Sequence, residues 1–469
     1  MGRFAKLTLS RYVYAGAHVR TLVMQPTLAL AERIAGTGFA QIPAAATTVA
    51  KQALLDVVGV TVAGANEPLA AILRDQALDE GGHAQASLIG RPERVSVPQA
   101  ALINGAAGHA HDYDDVHTAM TGHPTVPVAP SLLALAEHHG KSGREVVAAL
   151  CAGVDTECIL GLYAGRGHYQ QGWHATGTLG SFAAAAASAN LLGLDVPATA
   201  SAMGIAGTQA AGLKSQFGTM CKPLHAGHAA ATGVQAAMLA SKGFDSRLDI
   251  LETPQGFMAT QAPGADEERF RAALAKDAYC QDICFKYHAA CYLTHSSMEA
   301  LNNLCATNTF APDDIDTVHI RVDPGHFTVC NIAEPASGLE AKFSLRFTAA
   351  MVLAGEDTAS IESFTDELTQ EPRLVALRDR VTVVAHEKPS ADSVVTITTK
   401  NGESFCDAVN VAIPMRDLDA QWDKLTRKFH ALTDPQLGRG QAEALAAQIR
   451  DLENQEDLTG LFALLRSGQ

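Results

Sequence analysis

Twelve of the 18 histidines lie between His109 and His295, and they arrive in short runs together with carboxylates, lysines and glycines. The first run is His109-Ala110-His111-Asp112-Tyr113-Asp114-Asp115-Val116-His117, followed by Gly122-His123-Pro124. Carboxylates and imidazoles this close in sequence supply acid and base groups, or oxygen and nitrogen ligands for Mg²⁺ or Zn²⁺. A polar helix terminus with solvated acids accounts for the same composition. A metal-dependent reading makes Asp112, Asp114, Asp115 and His117 the ligand set.

The second run is Gly165-Arg166-Gly167-His168-Tyr169, then Gly172-Trp173-His174-Ala175-Thr176-Gly177-Thr178-Leu179-Gly180. It places His174 just before an alanine-rich helix, where free backbone N–H groups favour an anion such as a substrate carboxylate; a capping loop with an aromatic anchor is the plainer alternative. The third, Phe217-Gly218-Thr219-Met220-Cys221-Lys222-Pro223-Leu224-His225-Ala226-Gly227-His228, again opens a helix. Lys222 there opposes the helix dipole, so its placement asks for a bound anion unless the lysine is simply exposed. The fourth is Phe285-Lys286-Tyr287-His288-Ala289-Ala290-Cys291-Tyr292-Leu293-Thr294-His295. A buried strand accounts for Ala289 to Leu293, whereas Thr294-His295 reads as a helix start contributing to a site.

Other chemistries lack their motifs. Cys280, Cys284 and Cys291 have spacings unlike an iron–sulfur cluster, no phosphate loop or dinucleotide fingerprint stands at a strand-to-helix turn, and no Gly-x-Ser-x-Gly elbow is present. The formal charge of −15 argues against nucleic acid as a partner. No stretch approaches about 20 uninterrupted apolar residues, so no membrane span is expected. Nine scattered cysteines fit reduced thiols and a cytoplasmic setting.

These groups must be held by a helical scaffold. Apolar residues recur at helical spacing over 44–65, 98–110, 129–139, 143–162, 176–192 and 223–242, and a further helix starts near Pro26. The abundant Ala and Gly predict close helix approach. After Pro263-Gly264-Ala265 the texture changes: β-branched alternation appears in Thr317 to Val322 and Val381 to Ala385, and Asn401-Gly402 follows the strand-like Ser393 to Thr399 as a hairpin signal. The fold class expected is mainly α, a large all-helical domain over 24–265 plus a smaller α+β lid domain over 266–412. Residues 413–469 read as helices packing back, and 1–23, basic before Glu32, as a loose N-terminal extension.

The four runs, in this order, resemble the MmgE/PrpD family: Asp112-Tyr113-Asp114-Asp115, Gly122-His123-Pro124, Gly172-Trp173-His174 with Gly177-Thr178-Leu179-Gly180, Lys222-Pro223 with His225, and Thr294-His295. The resemblance covers the chain from about Met24 onward. It implies a homodimeric enzyme with its site between the two domains, working without metal or organic cofactor on a small di- or tricarboxylate. The activity implied is proton transfer at a carbon next to a carboxylate, as in a 2-methylcitrate dehydratase-like lyase, with iminodisuccinate-type epimerisation or cis-aconitate decarboxylation as alternatives. Phe347, where the decarboxylase branch has a tyrosine, counts against decarboxylation. Asp112, His123, His174, Lys222 and His295 are the catalytic positions implied, and Lys222, His174, His225 and Arg346 would bind substrate.

Overall fold

The computed structural model describes residues 25–466; the expected extension over 1–23 lies outside them. Ten helices build the first part of the chain: α1 (Pro26–Gly36), α2 (Ala44–Gly64), α3 (Pro68–Glu80), α4 (Val97–Gly108), α5 (Thr125–His139), α6 (Gly143–Ala164), α7 (Arg166–Gln170), α8 (Ala175–Leu191), α9 (Val196–Gly207) and α10 (Cys221–Ala240). Local chemistry fixes their ends. Pro26 occupies the first turn of α1, Ser142 and Glu145 form a capping box on α6, and Asp195 caps α9 through Ala198 N–H. Helix α5 starts four residues earlier than its apolar spacing suggested, because Pro127 falls in the first turn, where its missing N–H leaves no bond unmade.

Helix α8 is the centre of this part. Phe182 through Ala187 are fully buried, and α5, α6, α9 and α10 pack around it. Small residues set the spacing: a Cβ on Gly105 of α4 would stand 2.8 Å from Gly227 Cα of α10, so only glycine permits this crossing. Two of these helices, α2 and α6, are long and apolar enough to cross a membrane, which their interruption by charged residues hid in the sequence; 83% and 89% of their most apolar stretches are buried inside the protein, as in core helices.

The later part carries a four-stranded mixed sheet. A two-stranded hairpin of β1 (Ala86–Ser87) and β2 (Arg94–Val95) precedes it in the chain. In the main sheet β3 (Ile315–Val322) pairs parallel with β4 (Val381–Ala385) and antiparallel with β5 (Ser393–Thr399), which pairs with β6 (Ser404–Val409). Asn401-Gly402 does form the β5–β6 turn, Gly402 at φ 89°, within a four-residue connection. Helix Tyr292–Thr307 covers this sheet, and helix Leu345–Ala354 packs against that helix. Ala289 to Leu293 is not a strand: Cys291 caps the helix beginning at Tyr292. Helix Leu418–Leu437 lies on α2, joined by a fully buried Lys428–Asp56 pair at 2.6 Å.

Candidate active site

Asp112 is the hub. It follows the end of α4 with φ +51°, a left-handed backbone that a non-glycine residue adopts only when its surroundings impose it. They do: Lys286 Nζ donates to the Asp112 carbonyl oxygen and lies 3.2 Å from Oδ1. On the same oxygen Lys222 Nζ sits at 2.8 Å and His123 Nε2 at 3.3 Å. The Asp112 side chain keeps 55% of its surface accessible while Lys286 has 3%, so the carboxylate lines a cleft whose floor is the lysine.

Behind it stands a second carboxylate. Asp114 places both oxygens 2.9 Å from His109 Nδ1, and its Oδ2 lies 3.2 Å from His123 Nδ1. A proton on His109 Nδ1 leaves Nε2 as a lone pair, and that atom is buried without a partner among the described residues. His123 has a carboxylate oxygen near each ring nitrogen, with Nδ1 buried and making no hydrogen bond among the described residues. His174 stacks on His109 at 5.8 Å and its Nδ1 is 3.1 Å from His225 Nδ1. Gly212 makes room here, since a Cβ on it would press on the His225 ring at 3.2 Å.

Three helix N-termini meet at this cluster. His123-Pro124 leads into α5, His174 is the residue before α8, and Lys222 lies in the first turn of α10. The His123 N–H donates to Thr176 Oγ1 of α8 at 3.1 Å, tying two of the ends together. Each end brings about half a positive charge, though the first N–H groups of α10, on Cys221, Lys222 and Leu224, are bonded within their own turn and that of Thr125 in α5 is taken by Asp115. Two ammoniums, Lys222 and Lys286, add their charge at the same place.

Charge states follow from burial and neighbours. Burial pushes the Asp112 carboxyl up, but Lys286 and Lys222 outweigh it and hold it well below the usual range. Asp114 is held down likewise by His109 and His123 against its burial. Burial lowers His109 to about 4 despite Asp114, and it lowers His174 and His225, helped by neighbouring cations and imidazoles. These three imidazoles are therefore neutral at pH 7.

Not every expected residue converges. Asp112, His123, His174, Lys222 and His225 do. His295 does not: it is fully buried, its Nε2 3.1 Å from the Ala290 carbonyl oxygen, wedged between His288 and Tyr292. Arg346 turns to Asn331 Oδ1 at 3.0 Å. The expected metal set fails as well, because Asp115 is bound by Thr125 and His117 Nε2 by the Tyr279 carbonyl. Another four, His109, Asp112, Asp114 and His123, bring donor atoms within 4.8 Å, but two ammoniums already balance Asp112 and repel a dication. Lys286 and His109 are residues the motifs left unassigned, and Asp114 had a role only in the metal set; for Lys286 a lysine inside the apolar stretch from Ile283 to Cys291 was the available signal. The other face of that stretch opens on a groove of about 1040 Å³. Along it Glu299 pairs with His288 and Lys424, and Asp434 with His430 and Arg439.

Glu157 of α6 supplies a stability test. Both its oxygens are buried without partners, and burial, with Asp115 nearby, raises its carboxyl well above the ordinary value. The unfolded chain loses this proton near pH 4.5 while the folded one keeps it, so the folded state is progressively disfavoured as pH rises above 4.5. Glu157→Gln removes that slope. Urea unfolding is expected to show the variant gaining on the parent by about 1.4 kcal/mol per pH unit above that point; equal pH profiles would mean the carboxyl ionises in place.

The chain matches the MmgE/PrpD N-terminal domain over residues 28–269 and the MmgE/PrpD C-terminal domain over 288–454. It is 27% identical over 436 residues to the cis-aconitate decarboxylase of Homo sapiens, covering 89% of each chain. It is 28% identical over 456 residues to the cis-aconitate decarboxylase-like protein oryM of Aspergillus oryzae, covering 90% and 94%. To the cis-aconitate decarboxylase of Aspergillus terreus it is 27% identical over 409 residues, covering 81% and 83%. With both family domains matched in order, and Asp112, His123, His174, Lys222 and His225 falling within the first of them, this protein is an enzyme of the MmgE/PrpD family.

Proposed function

We propose that this enzyme is a lyase acting on a small unsaturated tricarboxylate of the cis-aconitate type, releasing CO₂ and placing a proton on the chain that remains. The observation that supports it is the convergence of Lys222 and Lys286 with three helix N-termini on one ionised aspartate. A polyanionic substrate takes over the ammoniums from Asp112. As the C–CO₂ bond breaks, its electron pair delocalises onto a neighbouring carboxylate, where the fixed cations stabilise it. His123, held between two carboxylates as a donor, protonates carbon to complete the reaction. Asp114 keeps His109 in one tautomer, its free Nε2 available to receive a proton on the return.

The relatives favour decarboxylation over the dehydration favoured by sequence motifs. Phe347, a buried residue of helix Leu345–Ala354, is one position set against relatives matched over most of the chain. The same reading takes the working form to be a homodimer needing no metal, in a reducing compartment.

Proton NMR in D₂O with cis-aconitate, 2-methylcitrate, citrate and iminodisuccinate tests this. A product one carboxylate shorter, carrying one deuterium, is the expected result from cis-aconitate. An alkene formed from 2-methylcitrate, with cis-aconitate untouched, would replace the decarboxylase reading by a dehydratase.

A further inference from the structure

Two cysteines from distant parts of the chain meet beside the cleft. Cys291 stands just before helix Tyr292–Thr307, whose 16 residues present an N-terminus that favours a thiolate. Its N–H donates to Lys342 O at 2.9 Å, and further along the same segment Leu345 N–H donates to Cys330 O at 3.0 Å. Asn331 pairs with Ser344 between those bonds. Both cysteines are thus fastened to one short segment, and their thiols share a hydrogen bond. Cys291 is partly exposed, whereas Cys330 is fully buried with the His326 carbonyl oxygen 3.6 Å from its sulfur. Lys286 and Asp112 are close enough to act on the Cys291 sulfur. The bond from Cys330, helped by Lys286, holds the Cys291 thiol below its ordinary range against its burial, while the same bond and burial push Cys330 up. A reachable cysteine that ionises, beside a shielded thiol, is the pairing in which the first is oxidised and the second resolves it.

We infer that Cys291 and Cys330 form a reversible redox switch: a hydroperoxide oxidises Cys291, Cys330 closes the disulfide, and turnover stops until a thiol reductant reopens it. The Cys291 thiolate attacks one oxygen of hydrogen peroxide; the S–O bond forms as the O–O bond breaks, and the leaving oxygen takes up a proton as water. The Cys330 thiol then gives up its proton and attacks the Cys291 sulfur, so that the S–S bond forms and the S–O bond breaks, releasing a second water. Two electrons pass from the sulfurs to the peroxide. An S–S bond is far shorter than a contact between two thiols, so its formation draws Cys291 toward Cys330. The bend at Ala289 to Cys291 moves with it and carries Lys286 off its place on Asp112.

The test treats the reduced full-length enzyme with hydrogen peroxide, as parent and as Cys330→Ser, and follows both the thiols and the turnover of cis-aconitate. Trypsin cuts after Lys286, Arg321 and Lys342, which puts the two cysteines on separate peptides. The parent is expected to give these peptides joined through Cys291 and Cys330, and dithiothreitol to part them. Turnover is expected to fall about tenfold or more and to return with the reductant, since about 1 Å of misplacement costs up to about 10²-fold. Cys330→Ser is expected to match the parent before oxidation. Without its resolving partner Cys291 then goes on to the sulfinic acid, and dithiothreitol no longer restores turnover. Unjoined peptides from an inactivated parent overturn the inference, and so does a joined pair with turnover unchanged. If the reduced parent is silent on cis-aconitate, the lyase reading fails by itself: joined peptides still support the disulfide and unjoined ones still overturn it.

Discussion

Lys286→Met is expected to lower kcat/KM by about 10²- to 10³-fold, the loss typical of removing one preorganised group that stabilises developing negative charge. Methionine keeps the volume of the stem, so the change is confined to the ammonium. That ammonium is 3% exposed and spans the Asp112 carbonyl and carboxylate oxygens, so nothing else in the cleft can take its place. Lys222 remains on the same carboxylate and Lys428 on the neighbouring Tyr113 carbonyl, so Asp112 stays ionised and its turn keeps one of its two lysine supports. Rate and binding should separate: kcat carries most of the loss because Lys222 and the helix ends still attract the substrate. A variant within about threefold of the parent, with an unchanged near-ultraviolet circular dichroism spectrum, would remove Lys286 from the chemistry.

Helices and strands were legible in the sequence to within a few residues because their cues are local. Apolar spacing places α2, α6, α8 and α10, and Asn401-Gly402 places the β5–β6 turn. The positions of Asp112, His123, His174 and Lys222 were legible for a related reason: each follows, precedes or opens a helix, where an acid, imidazole or ammonium is out of place unless it faces a ligand. What the sequence withheld depends on which way a side chain turns. Lys286 and His295 lie in one run, yet the chain bends at Ala289 to Cys291 and only Lys286 reaches Asp112. Asp114 and Asp115 are adjacent, and one faces His109 while the other faces Thr125. No periodicity distinguishes them, because the segment is neither helix nor strand.

Lys428→Met is expected to destabilise the folded protein by about 3–5 kcal/mol at pH 8, through the charge it leaves behind. Lys428 Nζ lies 2.6 Å from Asp56 Oδ1 and donates to the Tyr113 carbonyl at 2.7 Å, every group being fully buried. Burial already raises Asp56 to about 6 with Lys428 in place. Without the lysine the folded-state value rises further above the unfolded 3.8, and the penalty grows as pH climbs between them. At about pH 5 Asp56 is protonated in the variant, so urea unfolding should show a smaller deficit there than at pH 8. Asp56→Leu/Lys428→Met should recover much of the loss at both, since a packed apolar pair replaces the buried ions. The site is coupled to this pair through the backbone: Lys428 holds Tyr113 O and Lys286 holds Asp112 O. These two lysines from distant segments keep the strained Asp112 turn in place. A single variant whose stability deficit is independent of pH would show that Lys428 works by packing over the Tyr113 ring, 3.8 Å away, rather than by its charge.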